Sequence, residues 1–524
     1  MSPKNSFHEE DSLEDVNLNS KNSDKSFDKG DNDVCLEEDT EKEGEKTQWK
    51  SIYIGGILAL SSSIQYSIYF ATLWPYLQIL DPHVTEEFFG IVLGSYSIGN
   101  IIFSPVFGWW SNKIKCIKIP LYIGISCQLI GNLLYFYLQI LPWYQKECMI
   151  ISRLLTGIGW SCISLLRSYA ATASTEKDRS RAVSVISGGL AFGITIGPSL
   201  NLLFVGIGYP GFKLVSNLFI NIYTIPSFLA VVANAFSLIA VKFMFKEIYV
   251  GIEKHEINKK KKLSSNDDDI ILLPKYDKLA VGIAFVSRFI QLFMIASLST
   301  IGPIISMMMF NFTKKQTIET IAYAQGFLGF SAFVVYFLFI YIDIGKYGKF
   351  RRNIMIGFAL QTAFNLIIYP YSFFYENSPK VTKYNSTEMT NITSTTELIG
   401  CDISKFDWCD DLPSISPYLY FISYSILIGL SLPVINAATN TLFSRMLGSR
   451  RQGTMQGWLQ TCGGLGNFLA PMISTFIYQN YGPKTIYIYH VALGSIVIFL
   501  WVVYHHRMVP LQAVIDKENQ QNLK

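Results

Sequence analysis

Apolar residues gather in long runs, each near the ~20 residues a helix needs to cross a bilayer core. The runs fall near 52–78, 88–110, 119–141, 148–173, 182–205, 222–245, 279–308, 318–342, 353–373, 416–443, 454–478 and 485–505. This pattern predicts an all-α polytopic membrane protein with twelve transmembrane helices. The connections between the runs alternate in charge. Odd-numbered ones are poor in basic residues: 81–87 has none, 142–147 only Lys146 and 479–484 only Lys484. Even-numbered ones are rich, with Lys113, Lys115 and Lys118; Lys177, Arg179 and Arg181; Lys346, Lys349, Arg351 and Arg352; and Arg445, Arg450 and Arg451. The positive-inside rule then sets the even connections and both termini in the cytosol. Three glycosylation sequons, beginning at Asn311, Asn385 and Asn391, all fall in odd connections, the expected lumenal side.

The runs divide six and six around residues 246–277, a charged stretch with KKKK at 259–262 and DDD at 267–269. The expected organisation is an acidic tail (1–48), an N-terminal six-helix bundle (49–245), a cytosolic linker (246–277), a C-terminal six-helix bundle (278–506) and a cytosolic tail (507–524). The second bundle carries a long lumenal loop at 374–414. Three features repeat in order between the halves. GITIGP (193–198) in the fifth run corresponds to GNFLAP (466–471) in the eleventh, each ending at a proline, Pro198 and Pro471. DRSRA before the former corresponds to RRQGT before the latter, and TLWPYL and TIGPII each place a proline late in the first and seventh runs. Matched interruptions in two halves point to a transporter built from duplicated bundles around a midplane site.

Composition adds to this. Half of the 524 residues are hydrophobic and only 16% are charged, against about a quarter in soluble proteins. Residues 1–48 hold fifteen acids and six lysines, so a net charge of +13 belongs to the rest of a chain whose total is +4. That acidic, Ser/Asn-rich tail cannot bury enough apolar surface to offset chain entropy. Lacking a basic start before an apolar core, it is not a cleaved signal peptide, and the first run serves as targeting signal. The positive excess sits in short connections, which argues against a nucleic-acid partner. Of eight cysteines, only Cys401 and Cys409 share a long polar loop, either as a disulfide of a lumenal loop or as two free thiols.

Several stretches resemble the major facilitator superfamily. Arg153-Leu-Leu-Thr-Gly157-Ile-Gly159 is similar to its RxxxGxG pattern in helix four, and Gly193-xxx-Gly197-Pro198 to the start of its helix-five motif. GWWSNKIK, from Gly108, resembles its signature after helix two, with Asn112 in place of an Asp and Lys113 as the basic end. The lost charge puts ordinary gating in doubt. Lys346-Tyr-Gly348-Lys349 keeps only the basic end of the same motif. The runs at 73–82, 95–112, 153–171, 400–409 and 451–459 resemble lysosomal members of this family, a likeness extending from about 49 to 505. The resemblance implies an endolysosomal membrane protein, glycosylated at Asn385 and Asn391, with a chloride conductance. It also implies a helix-seven carboxylate near Ser299, which this chain lacks.

Charges inside the membrane carry the functional reading, because a guanidinium at the centre of a span costs about 2.5–3.5 kcal/mol even on the lenient insertion scale. Arg153 and Arg167 lie fourteen residues apart in the fourth run, which on one straight helix is within about 40° of a single face and ~21 Å along the axis. Gly157, Trp160 and Ser164 fall on that side, making a polar stripe. The seventh run adds Arg288 and the twelfth His490. Against these, acids stand only at entrances and exits: Glu86, Glu87, Glu319 and Asp343. Amides also occupy run interiors: Gln65, Gln128, Asn132, Asn201, Asn436, Asn440, Gln456, Gln460 and Asn467. Asn436 and Asn440 share a face at i, i+4. Such groups can replace the hydration shell of a small anion.

The expected function is movement of small anions, chloride or organic, through an arginine-containing cavity, with Arg153, Arg167, Arg288, Asn436, Asn440, Gln460 and His490 along the path. The bland reading has Arg153 bonding helices together, Arg167 and Arg288 snorkelling to the cytosolic surface, and His490 as a packing residue. Two alternatives are a proton-coupled carrier with His490 as relay and a scaffold that has kept the fold without transport. No Gly-rich phosphate loop, metal-spaced His/Cys set or nucleophile–base pair points to an enzyme, and no cofactor is implied. Asp268-Asp-Ile-Ile-Leu272-Leu273 fits an acidic dileucine signal and Tyr249-Val-Gly-Ile252 a tyrosine-based one, both for cytosolic sorting adaptors.

Overall fold

The structure is a computed structural model that describes residues 46–69, 72–141, 144–204, 207, 210–215, 218–250, 274–342, 349–371, 381–384, 400–409, 415–448 and 450–522. Most of the acidic tail, most of the linker with Asp268, Leu272 and Leu273, and the sequons at Asn385 and Asn391 lie outside the described residues.

Among the described residues nine continuous helices are long and apolar enough to cross a membrane. The bent pair Trp49–Ile68 and Leu73–Leu80 makes a tenth. The fifty-one-residue helix Gly453–Val503 is two spans, divided at Gly482, whose φ of 76° no ordinary side chain adopts comfortably. The eighteen-residue Phe350–Ile367, which opens on two arginines, completes twelve. The other spans are Glu86–Ile114, Lys118–Ile140, Gln145–Thr172, Arg179–Leu202, Ile225–Phe243, Lys278–Met309, Lys314–Phe337 and Pro417–Leu447. Two two-stranded sheets depart from the all-α expectation: Phe212–Val215 with Leu218–Ile220, and Lys383–Tyr384 with Cys401–Asp402. The C-terminal tail also forms a helix, Leu511–Asn522.

The helices turn large apolar side chains outward, among them Ile57, Phe236, Phe327, Phe330 and Phe499, each roughly two-thirds exposed. Polar side chains such as Gln65, Asn132, Gln291, Asn365 and Asn440 are buried inside. That inversion suits hydrocarbon as the solvent. The matched glycine motifs now have a shared purpose. A Cβ on Gly193 or Gly197 would strike Ser63 and Ser67 of the first span, and one on Gly466 would strike the Phe289 carbonyl of the seventh. The fifth span therefore lies against the first as the eleventh lies against the seventh, backbone to backbone. Pro198 and Pro471 stand inside these paired helices.

Beyond the spans, Cys401 and Cys409 are joined in a disulfide. The loop it closes lays the Trp408 ring against Gly482, and Trp408 Nε1 donates to the Gln479 carbonyl at 3.2 Å. Of the three sequon asparagines only Asn311 is described. It is half-buried in left-handed backbone (φ 56°), in the short turn between the seventh and eighth spans. Its partner Thr313 caps the eighth span, accepting from Gln316 N at 3.2 Å. An acceptor asparagine needs an accessible loop. Endoglycosidase treatment is therefore expected to shift the wild-type and Asn311→Gln bands equally and to leave Asn385→Gln/Asn391→Gln unshifted; a residual shift in the double variant would put a glycan on Asn311.

Candidate functional site

The fourth span runs continuously as Gln145–Thr172, with one local irregularity at Ser161, where the backbone stays in the right-handed helical region (φ −60°, ψ −21°). The two arginines of the expected stripe have different surroundings, and both side chains are buried rather than snorkelling.

Arg153 is 3% exposed and stays within the first half. Its guanidinium lies 4.8 Å from the ring centre of Tyr69 and 5.0 Å from that of Tyr96. It borders a cavity of about 10 Å3 lined also by Gln65 of the first span and by Gln128 and Asn132 of the third. No acid lines that cavity. The glycines of the motif make this approach possible. A Cβ on Gly157 would lie 2.1 Å from the Tyr96 carbonyl oxygen, and one on Gly159 would hit Gln128. The amides behind the cavity bind one another: Tyr69 Oη donates to Asn132 Oδ1 at 2.7 Å, Asn132 Nδ2 to Gln65 Oε1 at 3.1 Å, and Gln65 Nε2 to Asn234 Oδ1 at 3.0 Å. This chain joins the first, third and sixth spans, so these amides hold helices together.

Arg167 and Arg288 meet between the halves. Arg167 Nη1 donates to Gln460 Oε1 of the eleventh span at 2.8 Å. Arg288 Nη1 donates to Asn436 Oδ1 of the tenth and, at 3.0 Å, to Gln291 Oε1 one turn along its own helix. Arg288 also packs over Gly463, where a Cβ would come within 3.2 Å of its Nε. Gln460 and Gly463 are neighbours on one face of the eleventh span. The two guanidiniums therefore sit over adjacent turns of the same helix, within electrostatic reach of each other and of Tyr336. They are 5% and 4% exposed, and the Nε of each has no hydrogen-bond partner. Asn440, one turn from Asn436, is 1% exposed with both amide atoms unpartnered. Neutral amides thus partner two buried cations from opposite halves. Gln291 was findable from its i+3 spacing to Arg288. Tyr336, Tyr69 and Tyr96 were not, because aromatic residues fill every span.

His490 is elsewhere. It is fully buried, with Nδ1 3.1 Å from Asn365 Oδ1 and Nε2 2.8 Å from Ser297 Oγ, which also receives Ser474 Oγ at 2.6 Å. Ser297 stands nine residues beyond Arg288 on the seventh span, about 13.5 Å along the axis and on the opposite face. A neutral ring donating from Nδ1 and accepting at Nε2 satisfies every member of the set, which welds four spans of the second half.

At the basic-connection end the halves are pinned. A Cβ on Gly108 would lie 2.3 Å from the Gly453 carbonyl oxygen, so the second span and the start of the eleventh touch through bare backbone. Asn112 completes the contact. Its Oδ1 accepts from Gly453 N at 3.1 Å, and its Nδ2 donates to Thr454 Oγ1 at 2.9 Å. The amide that stands in place of the family's acid caps the eleventh span from across the interface, work its own N-cap residue Gln452 does not do. Lys113 turns away, its Nζ 5.1 Å from the Trp109 ring. Arg451 lies 4.9 Å from the Tyr249 ring and donates to the Lys115 carbonyl at 2.9 Å. Tyr249 in turn donates to Glu247, whose carboxylate accepts from Ile117 N (2.7 Å) and Lys118 N (3.1 Å) at the start of the third span. Burial pushes the Glu247 carboxyl above the usual carboxylate range. With its ring and hydroxyl both engaged, Tyr249 is not presented as a sorting signal.

The family model of the Major Facilitator Superfamily matches residues 55–381 and 406–523. The chain belongs to the major facilitator superfamily. It is a multi-pass membrane transporter rather than an enzyme. Among relatives, it is 27% identical over 487 residues to major facilitator superfamily domain-containing protein 8 of Xenopus laevis, covering 90% of this chain and 94% of that protein. It is 26% identical over 111 residues, about a fifth of each chain, to the synaptic vesicular amine transporter of Bos taurus. Among solved structures, the human organic anion transporter MFSD10 (TETRAN) superposes with a TM-score of 0.59 at 14% identity, over 86% of this chain and 99% of that one. The proton:xylose symporter XylE superposes at 0.63 and 14%, over 89% and 98%. At those identities the structures show the shared facilitator fold alone.

The interface cap has a measurable consequence for a facilitator that must separate its halves. Removing an N-cap side chain costs about 1 kcal/mol, so Asn112→Ala is expected to raise the population with this end open about fivefold. Reactivity of an introduced Ser111→Cys toward an impermeant maleimide, applied from the basic-connection side, reads that population. Asn112→Asp, which restores a charge at a helix N-terminus, is expected to lower it.

Proposed function

We propose that the chain moves small anions, chloride or an organic anion, across an endolysosomal membrane along the interface between its halves. Arg167 and Arg288 are the fixed positive groups of that path, with Gln460, Asn436 and Asn440 as its polar lining. One observation carries the reading: two buried guanidiniums, one from each half, stand together with amides as partners and with unpaired Nε donors. Burying a charge costs several kcal/mol after relaxation, and amide dipoles return only part of that. A guest that lowers the energy of such a pair is negative. A metabolite cation would meet repulsion from both. His490 gives the proton-coupled alternative little support, since its ring has a partner at each nitrogen inside the second half. Arg153 stands apart from this path, inside the first half.

The endolysosomal destination is read from Asp268, Leu272 and Leu273, because the competing signal at Tyr249 is folded against Arg451.

Purified protein in liposomes with an anion gradient tests the transport reading. Arg288→Gln and Arg167→Gln are each expected to lower anion flux at least tenfold at equal reconstitution, equivalent to about 1.4 kcal/mol or more per charge-assisted contact, while Arg288→Lys keeps part of it. Flux that is unchanged in both glutamine variants, or selective for cations, would sink the proposal. For sorting, Leu272→Ala/Leu273→Ala is expected to multiply the cell-surface fraction measured by biotinylation; an unaltered surface fraction would exclude the dileucine signal.

A further inference from the structure

The fifth span meets the second half along two faces of different chemistry. Toward the eighth span the contact is apolar: the Phe192 and Phe333 rings lie 5.3 Å apart, and Gly188 makes room for Tyr336. Toward the tenth it is polar. Ser180, Ser184, Ser187 and Ala191 follow one another at four- and three-residue steps, as do Ala437, Thr441 and Ser444, so each set lies on one face of its helix. The two faces meet head to tail. Ala191 packs in one cluster with Ala437. At the basic-connection end, Arg445 Nη2 donates at 2.9 Å to the carbonyl of Glu176, just before the fifth span begins. This antiparallel register sets the serines of the fifth span opposite Thr441 and Ser444 of the tenth.

These hydroxyls are orphans. Ser180, Ser184, Ser187, Thr441 and Ser444 are at most 2% exposed, and none has a hydrogen-bond partner. Asn440, beside them on the tenth span, is in the same condition at both amide atoms. Elsewhere the spans treat buried serines differently: Ser67, Ser287 and Ser306 each return the hydroxyl to the carbonyl four residues back, at 2.7–3.0 Å. A buried hydroxyl without a partner has lost its water and gained no bond. Alanine at each position would pack the same helices with no orphan, so the closed arrangement alone does not account for six such groups on one seam. Water entering between the fifth and tenth spans would satisfy them all. The seam also leads somewhere. It starts one turn from Asn436, the partner of Arg288, and runs about 12 Å along the tenth span to Ser444. We propose that this seam is the basic-connection leg of the transport path. The fifth and tenth spans part along it, and the five hydroxyls and Asn440 line the opened passage for the guest and its water. A guest of either charge can use such a passage, so it does not depend on the anion reading.

Cysteine labelling of the full-length protein in membrane vesicles tests this, with a small impermeant methanethiosulfonate applied from the basic-connection side and the wild-type chain as blank. Ser184→Cys and Thr441→Cys are expected to react about tenfold or more faster than Ser287→Cys, since Ser287 is nearly as buried but its hydroxyl is bonded and off the seam. Alanine then separates a passage from a helix adhesive. Ser184→Ala/Ser187→Ala relieves the closed state of two unsatisfied groups, so labelling of Thr441→Cys in that chain is expected to slow about fivefold or more. Its thermal midpoint is expected to hold or rise. Equal labelling of the three cysteines would overturn the proposal. So would faster labelling with a lowered midpoint in the alanine chain, which is what hydroxyls that bind the helices together would give. Should the alanine chain fail to fold, the comparison of the three cysteines decides alone.

Discussion

Hydrocarbon offers a polar group nothing to bond to, so whatever a membrane helix carries inward must be answered by other helices. Amides can answer one another, as Gln65, Asn132 and Asn234 do, and a histidine can be satisfied by an asparagine and a serine. A guanidinium is harder to answer, because its charge as well as its donors must be met. The spans of this chain contain acids only at their ends, and the described partners of Arg153, Arg167 and Arg288 are rings and amides. That imbalance separates this interior from one held together by ion pairs. It makes the three arginines the places where a negative guest gains most.

Small residues decide how closely the helices can answer. The fifth span meets the first through Gly193 and Gly197, the fourth meets the second through Gly157, and the second meets the eleventh through Gly108 and Gly453. In the membrane, close backbone approach replaces the hydrophobic drive that packs soluble helices. It also positions the arginines: Gly157 lets the fourth span come near enough for Arg153 to lie against Tyr96, and Gly463 makes room for Arg288. A family motif that reads as a string of glycines around an arginine is, in three dimensions, a set of clearances cut for it.

The architecture was legible because bilayer thickness imposes a length on every span and charge asymmetry marks the connections. The apolar runs correspond to helices throughout, even where Gly482 hides inside one continuous stretch. The site was legible only in part. Residue type singled out Arg167, Arg288, Gln460 and Asn436, which hydrogen-bond in pairs between the spans, without showing which pairs with which. The stripe through Arg153 and Arg167 did not reveal that the two guanidiniums turn to different neighbours, Tyr69 and Tyr96 for one and Gln460 for the other. Asn112 looked like a lost charge because its partner, the open N-terminus of the eleventh span, is some 340 residues away in sequence. Tyr249 looked like a free signal for a similar reason: what covers it, Arg451, comes from the other half. Contacts across the interface leave no periodic trace, so a reading by local pattern passes over them.

The two interface arginines also bear on how such a transporter would close. Two like charges from opposite halves push those halves apart, and nothing covalent between Arg167 and Arg288 opposes that. In this arrangement the opposing contacts are distributed: Gln460 and Asn436 at the arginines, and Asn112, Gly108 and Arg451 at the basic-connection end. An anion lodged between the guanidiniums would reverse the sign of the local interaction and draw both halves toward itself. Binding and closure would then be one equilibrium seen from two sides, since a ligand shifts a conformational balance only through its differential affinity for the two states. The amide at position 112 fits that economy. A neutral cap holds the halves together less tightly than a carboxylate would, so less binding energy from the guest is needed to change the balance.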